Sequence, residues 1–90
     1  MTYEALTSLS GAEVLARAKK FFQERVPNNA AFPEKEGPTW LSLRGQGGEE
    51  IALSVAGGAG GTRVRVSTLF FDQAVGRFLS SLPAAQDGAA

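Results

Sequence analysis

Three alternating segments joined by two short, glycine-rich loops constrain the fold of this chain most strongly. Residues 39–44, 50–56 and 62–67 each alternate apolar with polar or small side chains, as strands with one buried face do. Residues 45–48 and 57–61 separate them. Loops this short join neighbouring antiparallel strands, because a parallel connection needs a crossover of about a dozen residues or more. The sequence therefore predicts a three-stranded antiparallel meander with residues 50–56 at its centre.

The alternation assigns each strand residue to one of the two sheet faces. The inward set is Leu41, Leu43, Ile51, Leu53, Val55, Val64 and Val66. The outward set is Trp40, Ser42, Arg44, Glu50, Ala52, Ser54, Ala56, Arg63, Arg65 and Ser67. A register that pairs Val55 with Val64 places Ser54 beside Arg65, and one that pairs Leu43 with Ile51 places Trp40 beside Ser54. We expect Ser42, Ala52 and Ser67 to form the next row.

A helix is predicted on each side of the meander in the chain. The first covers residues 10–26, where Ser10 and Glu13 have capping-box spacing, so the helix should begin at Gly11. Pro27 should end it near Arg25. Its apolar positions recur at helical spacing: Val14, Leu15, Ala18, Phe21, Phe22 and Val26.

The second helix is predicted over residues 69–82, with Thr68 as its N-cap and Pro83 closing it. Its apolar positions are Phe71, Ala74, Val75, Phe78, Leu79 and Leu82. Gly76 inside this helix is either needed for a close approach by a neighbouring element or simply tolerated.

The predicted architecture is an α+β two-layer sandwich of helix, three-stranded antiparallel meander and helix, with both helices on one face of the sheet. Residues 27–38 hold three prolines and one glycine, which predicts a loop pinned to the core edge by Phe32. The single domain should span residues 10–83. Residues 1–9 are expected to extend from it, and residues 84–90 to form a disordered tail.

Composition excludes much of enzyme chemistry. The 90 residues contain no Cys and no His, which removes thiolate nucleophiles, Cys-ligated metals and the commonest general base. The nine acidic residues are scattered and form no recognisable acid–base pair, and neither glycine loop opens a helix as a phosphate-binding loop does. We expect no enzymatic activity, no cofactor and no metal site.

Charge and targeting features are equally plain. Nine basic residues balance nine acidic ones, so no charged tail indicates a partner. The first ten residues lack the basic and apolar segments of a signal peptide, and no window has the roughly 20 apolar residues of a membrane span. The sequence predicts a soluble, cytoplasmic protein.

The outward sheet face carries the most specific functional pattern. Small side chains line the central strand, with a Trp and three Arg around them. Trp and Arg are enriched at interaction hot spots, and a small-residue floor allows close approach. The candidate interface residues are Trp40, Arg44, Ala52, Ser54, Arg63 and Arg65. The alternative is that Trp40 folds over Ser54 and stacks on Arg65, so that the chain covers its own sheet.

The order of helix, three strands and helix over residues 10–82 resembles the double-stranded-RNA-binding domain. The resemblance implies binding of A-form RNA by the first helix, the loop between the first two strands and a lysine cluster opening the last helix. Here residues 67–72 hold no Lys, and Gly45-Gln46-Gly47-Gly48 lacks the family's Pro-His. No functional residue is transferred from that family.

The sequence therefore predicts a small, non-enzymatic protein-interaction module, most simply a homodimer and otherwise a subunit of a larger assembly, that uses the exposed sheet face or a sheet edge. The alternative is nucleic-acid binding through the same Arg side chains, with Trp40 as a stacking platform. A small-molecule pocket between helices and sheet, beside Phe32, is a third possibility.

Overall fold

A computed structural model describes residues 1–24, 31–58 and 60–84 of the chain. These residues form five strands and two helices, in the order β1 (Thr2–Thr7), α1 (Gly11–Glu24), β2 (Ala31–Glu36), β3 (Trp40–Gly45), β4 (Glu50–Gly58), β5 (Gly61–Thr68) and α2 (Asp72–Ser81). All neighbouring strands are antiparallel, and the sheet order is β1-β5-β4-β3-β2. The chain is a small α+β domain.

The predicted meander is present as β3, β4 and β5, with β4 at its centre. Val55 lies opposite Val64, and Leu43 lies opposite Ile51. The register is the predicted one because a shift by one residue would turn every apolar side chain of a strand to the other face.

Both helices cover the same face of the sheet. The seven inward residues predicted for the meander are all buried there. Helix α1 packs against β2, β3 and β4, whereas α2 packs against β1 and β5. The rings of Phe21, Phe22 and Phe78 join the two helices, with centroid separations of 5.2 to 5.4 Å. The single core therefore lies between the sheet and the helix layer.

The sheet has five strands rather than the three that the sequence predicts, because one more strand pairs at each edge. Residues 1–9, expected as an extension, contribute β1, which pairs with β5. Residues 31–36 of the expected loop form β2, which pairs with β3 around a bulge between Pro33 and Lys35. The order that resembles the double-stranded-RNA-binding domain is thus embedded in a different one, strand–helix–four strands–helix.

The prediction that Phe32 anchors the core edge is wrong. Strand β2 places Phe32 opposite Arg44, on the side away from the helices, and its side chain is 47% exposed. Ala31 is fully buried in its place. Once the segment forms a strand, alternate residues must point to opposite faces, so only one of the two neighbours can reach the core.

Helix α1 begins at Gly11 as predicted. The Ser10 hydroxyl accepts a hydrogen bond from the Glu13 N–H at 3.2 Å, which is one half of the expected capping box. The predicted end near Arg25 lies outside the described residues.

Helix α2 begins three residues later than predicted, at Asp72, because β5 continues through Thr68 and the chain must turn before the helix. Thr68 is not the N-cap residue, but its hydroxyl accepts the Phe71 N–H at 3.0 Å in that turn. A Cβ on Gly76 would meet no atom within 4 Å, so this glycine is tolerated rather than required by a close contact.

The segment after α2 returns to β1. Ala84 forms an antiparallel bridge with Thr7, and the Ser8 N–H donates to the Pro83 carbonyl at 3.3 Å. The fully buried Thr7 hydroxyl donates to the same carbonyl at 2.5 Å. Ala84, the first residue of the expected tail, therefore pairs with the sheet, and residues 85–90 lie outside the described residues.

Candidate functional site

The sheet side opposite the helices, called the outer face below, has no covering element among the described residues. It carries the exposed side chains of Thr2, Glu4, Leu6, Phe32, Glu34, Lys35, Trp40, Arg44, Glu50, Ala52, Ser54, Ala56, Arg63, Arg65 and Ser67. The six candidate interface residues from the sequence all lie on this face and are all exposed. The predicted grouping is therefore present in the fold, whereas its role stays a prediction.

The middle of the outer face is a shallow trough with a floor of small side chains. Ala52 lies between Ser42 and Ser67 in one row, and Ser54 lies between Trp40 and Arg65 in the next, as predicted. The trough has a volume of about 440 Å³. Small side chains on a sheet let a second surface approach the backbone closely.

Trp40 stands at the rim of this trough. Its indole lies against Gly37 in the turn between β2 and β3, where a Cβ would collide with the ring. The side chain is 41% exposed, and among the described residues it makes no stacking contact with a cation or another ring. The expected alternative, in which Trp40 stacks on Arg65, is therefore not the arrangement present.

Arg44 is held by an acidic residue that sequence reasoning did not connect with it. Its guanidinium donates to both carboxylate oxygens of Glu34, at 2.7 and 3.0 Å, and to the Gly48 carbonyl at 2.8 Å. These hydrogen bonds lower the pKa of Glu34 and raise the pKa of Arg44. Glu50 lies opposite Arg44 in the sheet, but its carboxylate accepts the Ser42 hydroxyl at 2.9 Å.

Glu4 of β1 compensates the other two arginines. Its carboxylate lies 3.2 Å from Arg63 and 3.9 Å from Arg65. Both acidic partners, Glu4 and Glu34, belong to the edge strands that the sequence did not reveal. The arginines therefore belong to a surface of nearly balanced charge.

An exposed apolar cluster lies at the end of the sheet where β5 leaves it. Met1, Leu69 and Phe70 are 72%, 79% and 75% exposed, and they border one depression together with Gly48 and residues of the outer face. Sequence reasoning missed this cluster because it placed Leu69 inside a helix. The apolar run 69–71 contained the information, since only Phe71 matches the spacing of the buried helix positions.

Other kinds of site find little support in the part of the chain that the structure describes. It contains no group of three or more acidic side chains placed to hold a metal ion. No described helix is long and apolar enough to cross a membrane.

The chain was also compared with known proteins. Neither protein-family models, nor curated proteins, nor solved structures gave a match.

Proposed function

We propose that this chain is a non-enzymatic protein-interaction module that works in the cytoplasm and associates through its outer face, most simply with a second copy of itself. The observation that supports the proposal best is that both helices lie on one side of the sheet, which leaves the side with Trp40 and its small-residue floor uncovered. When a sheet packs against helices on one face only, its other face is available for a partner.

The chemistry of the outer face suits a protein surface. A central floor of Ala and Ser is bordered by a half-exposed Trp and by arginines held in place by carboxylates. Protein interfaces commonly have a centre with few charged residues, enriched in aromatic and Arg side chains, and a polar rim around it. Flat sheets also pack face to face, at about 10 Å separation.

The size of the outer face sets its expected strength. Five strands about 4.8 Å apart and about six residues long cover roughly 500 Å², or roughly 1,000 Å² for two partners together. Stable interfaces bury about 1,200–2,000 Å² in total. We therefore expect a moderate affinity if the outer face acts alone.

Nucleic-acid binding has weaker support. Its affinity arises mainly from basic side chains that neutralise phosphates. The three arginines of the outer face each have a carboxylate within 4 Å, so a phosphate would have to compete with an internal partner.

The test is a pair of identical substitutions on opposite layers of the domain. Ala52→Glu puts a carboxylate on the floor of the trough, whereas Ala16→Glu puts the same group on the exposed side of α1. Analytical ultracentrifugation over micromolar concentrations should show that the wild-type chain exceeds its 9.4 kDa monomer mass. Ala52→Glu should weaken that association, while Ala16→Glu should not.

Two results would oppose the proposal. If Ala52→Glu and Ala16→Glu associate equally well, the outer face is not the contact surface. If the wild-type chain remains at 9.4 kDa throughout, self-association is excluded. Circular dichroism of both variants checks that each one keeps the fold.

A further inference from the structure

The two edges of the sheet are protected very differently. Strand β2 carries Pro33, a bulge between Pro33 and Lys35, and the three charged residues of the segment Glu34-Lys35-Glu36. Proline, bulges and charges are the features by which natural sheets prevent edge-to-edge pairing. Strand β1 has no proline and no bulge, and Glu4 is its only charged residue. The β1 edge is therefore the one that can accept another strand.

The hydrogen-bonding pattern between β1 and β5 shows which backbone groups of β1 point to the free edge. Met1 and Thr68 exchange both of their backbone hydrogen bonds, and the N–H of Thr68 lies 2.9 Å from the Met1 carbonyl. In an antiparallel ladder such pairs alternate, so the odd-numbered residues of β1 face β5. Thr2, Glu4 and Leu6 consequently direct their N–H and C=O groups away from the sheet.

One end of this edge is already used by the chain itself. Ser8 donates its N–H to Pro83, and Thr7 bridges to Ala84. Among the described residues no backbone group pairs with Thr2 or Glu4 on this side. Within residues 1–24, 31–58 and 60–84, the half of the edge around Tyr3 therefore has no strand partner.

We propose that β1 pairs antiparallel with β1 of a second copy, about a two-fold axis beside Tyr3, so that two five-stranded sheets join into one sheet of ten strands. In this register Thr2 of each copy exchanges both backbone hydrogen bonds with Glu4 of the other. The two Tyr3 residues lie directly opposite each other, and aromatic cross-strand pairs of this kind are favourable.

Two alternative registers, with the axis at Glu4 or at Ala5, are opposed by features of the chain. An axis at Glu4 would set two Glu4 carboxylates directly opposite each other, which is destabilising. An axis at Ala5 would pair Thr2 with Ser8, whose N–H is already bonded to Pro83. The second copy is the fitting occupant because a two-fold axis brings together two identical edges with matching donors and acceptors, and the assembly is closed.

This inference goes beyond the proposed function, because it concerns the edge and not the outer face. The two-fold axis of the edge contact is perpendicular to the sheet, so both outer faces lie on the same side of the joined sheet. If both contacts form, the assembly is a tetramer. Ala52→Glu would then remove one contact, and an edge variant would remove the other.

The first test uses the absence of native cysteine, which makes every introduced thiol unique. A residue beside a two-fold axis meets its own copy, and directly opposite residues in a non-hydrogen-bonded pair have Cα atoms about 4.5 Å apart, within the range for a disulfide. Mild oxidation should cross-link Tyr3→Cys fastest in the series from Thr2→Cys to Ala5→Cys. Ser54→Cys reports the outer face, and Ala16→Cys reports random collisions.

The second test does not depend on the Tyr3 side chain. Proline at position 2 removes an N–H that points to the free edge and leaves the hydrogen bonds between β1 and β5 in place. Alanine at position 2 removes the same side-chain contact with Ser67 but keeps the N–H. We expect Thr2→Pro to weaken dimerisation about tenfold or more relative to Thr2→Ala, with equal thermal stability of the monomers.

The outcomes separate the two proposals. Loss of association in Thr2→Pro alone supports the edge contact, even if Ala52→Glu has no effect. Equal association of Thr2→Pro and Thr2→Ala, or equal cross-linking of Tyr3→Cys and Ala16→Cys, would overturn the edge contact and leave the outer face untouched. A 90-residue chain that stays monomeric while a variant ending at Ala84 dimerises would also overturn the edge contact, since residues 85–90 would then block it.

Discussion

Truncation of Phe78 tests the arrangement on which both proposed contacts depend, namely two helices that share one face of the sheet. Phe78 on α2 is 1% exposed, and its ring lies 5.4 Å from the centroids of both Phe21 and Phe22 on α1. Phe78→Ala should therefore cost about 3–5 kcal/mol of unfolding free energy, which combines lost burial with the cavity left behind. The pairwise ring contacts account for about 0.5–1.5 kcal/mol each.

That loss is large for a domain of this size. At about 0.05–0.15 kcal/mol per residue, 90 residues give a total stability of about 5–13 kcal/mol. Each kcal/mol corresponds to about 4–8 °C in the unfolding midpoint of such a domain. We expect the thermal midpoint of Phe78→Ala to fall by at least about 12 °C, or the variant to be largely unfolded at room temperature.

Phe70 provides the matched control, because it is the same residue type eight positions earlier and is 75% exposed. Phe70→Ala should change the unfolding free energy by no more than about 0.5 kcal/mol. Urea titration followed by circular dichroism measures both variants on one scale. Similar losses for the two variants, or a loss below about 1 kcal/mol for Phe78→Ala, would refute the shared helix layer.

The remaining predictions concern single interactions. Gly76→Ala should raise stability by about 1 kcal/mol in urea titration, since a Cβ there meets no neighbour and alanine is the better helix former; a loss would mean that the site is closely packed. The hydrogen bond from Tyr3 to Asp72 raises the pKa of Tyr3 above 10.0, so it stabilises the fold below that pH and is lost as the pH rises through the folded-state pKa. Tyr3 is the only tyrosine of the sequence, so tyrosinate absorbance follows its titration directly, and Asp72→Ala should lower the midpoint of that titration. Because Arg44 lowers the pKa of Glu34 below its ordinary value of 4.5, their pair stabilises the fold above that pH. The stability difference between the wild type and Arg44→Ala should therefore shrink as the pH falls through the folded-state pKa of Glu34, to the part that the Gly48 hydrogen bond supplies. Fluorescence anisotropy with duplex RNA at low salt should show no binding, and a strong, salt-sensitive signal would instead favour the nucleic-acid alternative.

The sequence by itself determined the central elements of this protein. Strands β3, β4 and β5 alternate apolar and polar residues, and the apolar residues of α1 and α2 recur every three or four positions. Each element therefore has one apolar face, and that face must be buried. The glycine-rich connections then require antiparallel neighbours. The register and the membership of the outer face, including Ala52 between Ser42 and Ser67, followed from those two constraints.

Only the tertiary structure decided the edges, and with them the electrostatics of the outer face. Residues 31–36 hold a proline and three charges, and residues 2–7 place Leu6 outward and Thr7 inward, so neither segment has the pattern of a half-buried strand. Their strand conformation depends on the backbone groups of β5 and β3, which lie far away in the chain. Glu4 and Glu34 lie on these two strands. Their contacts with the arginines depend on strand pairing between distant segments, which the local sequence does not indicate.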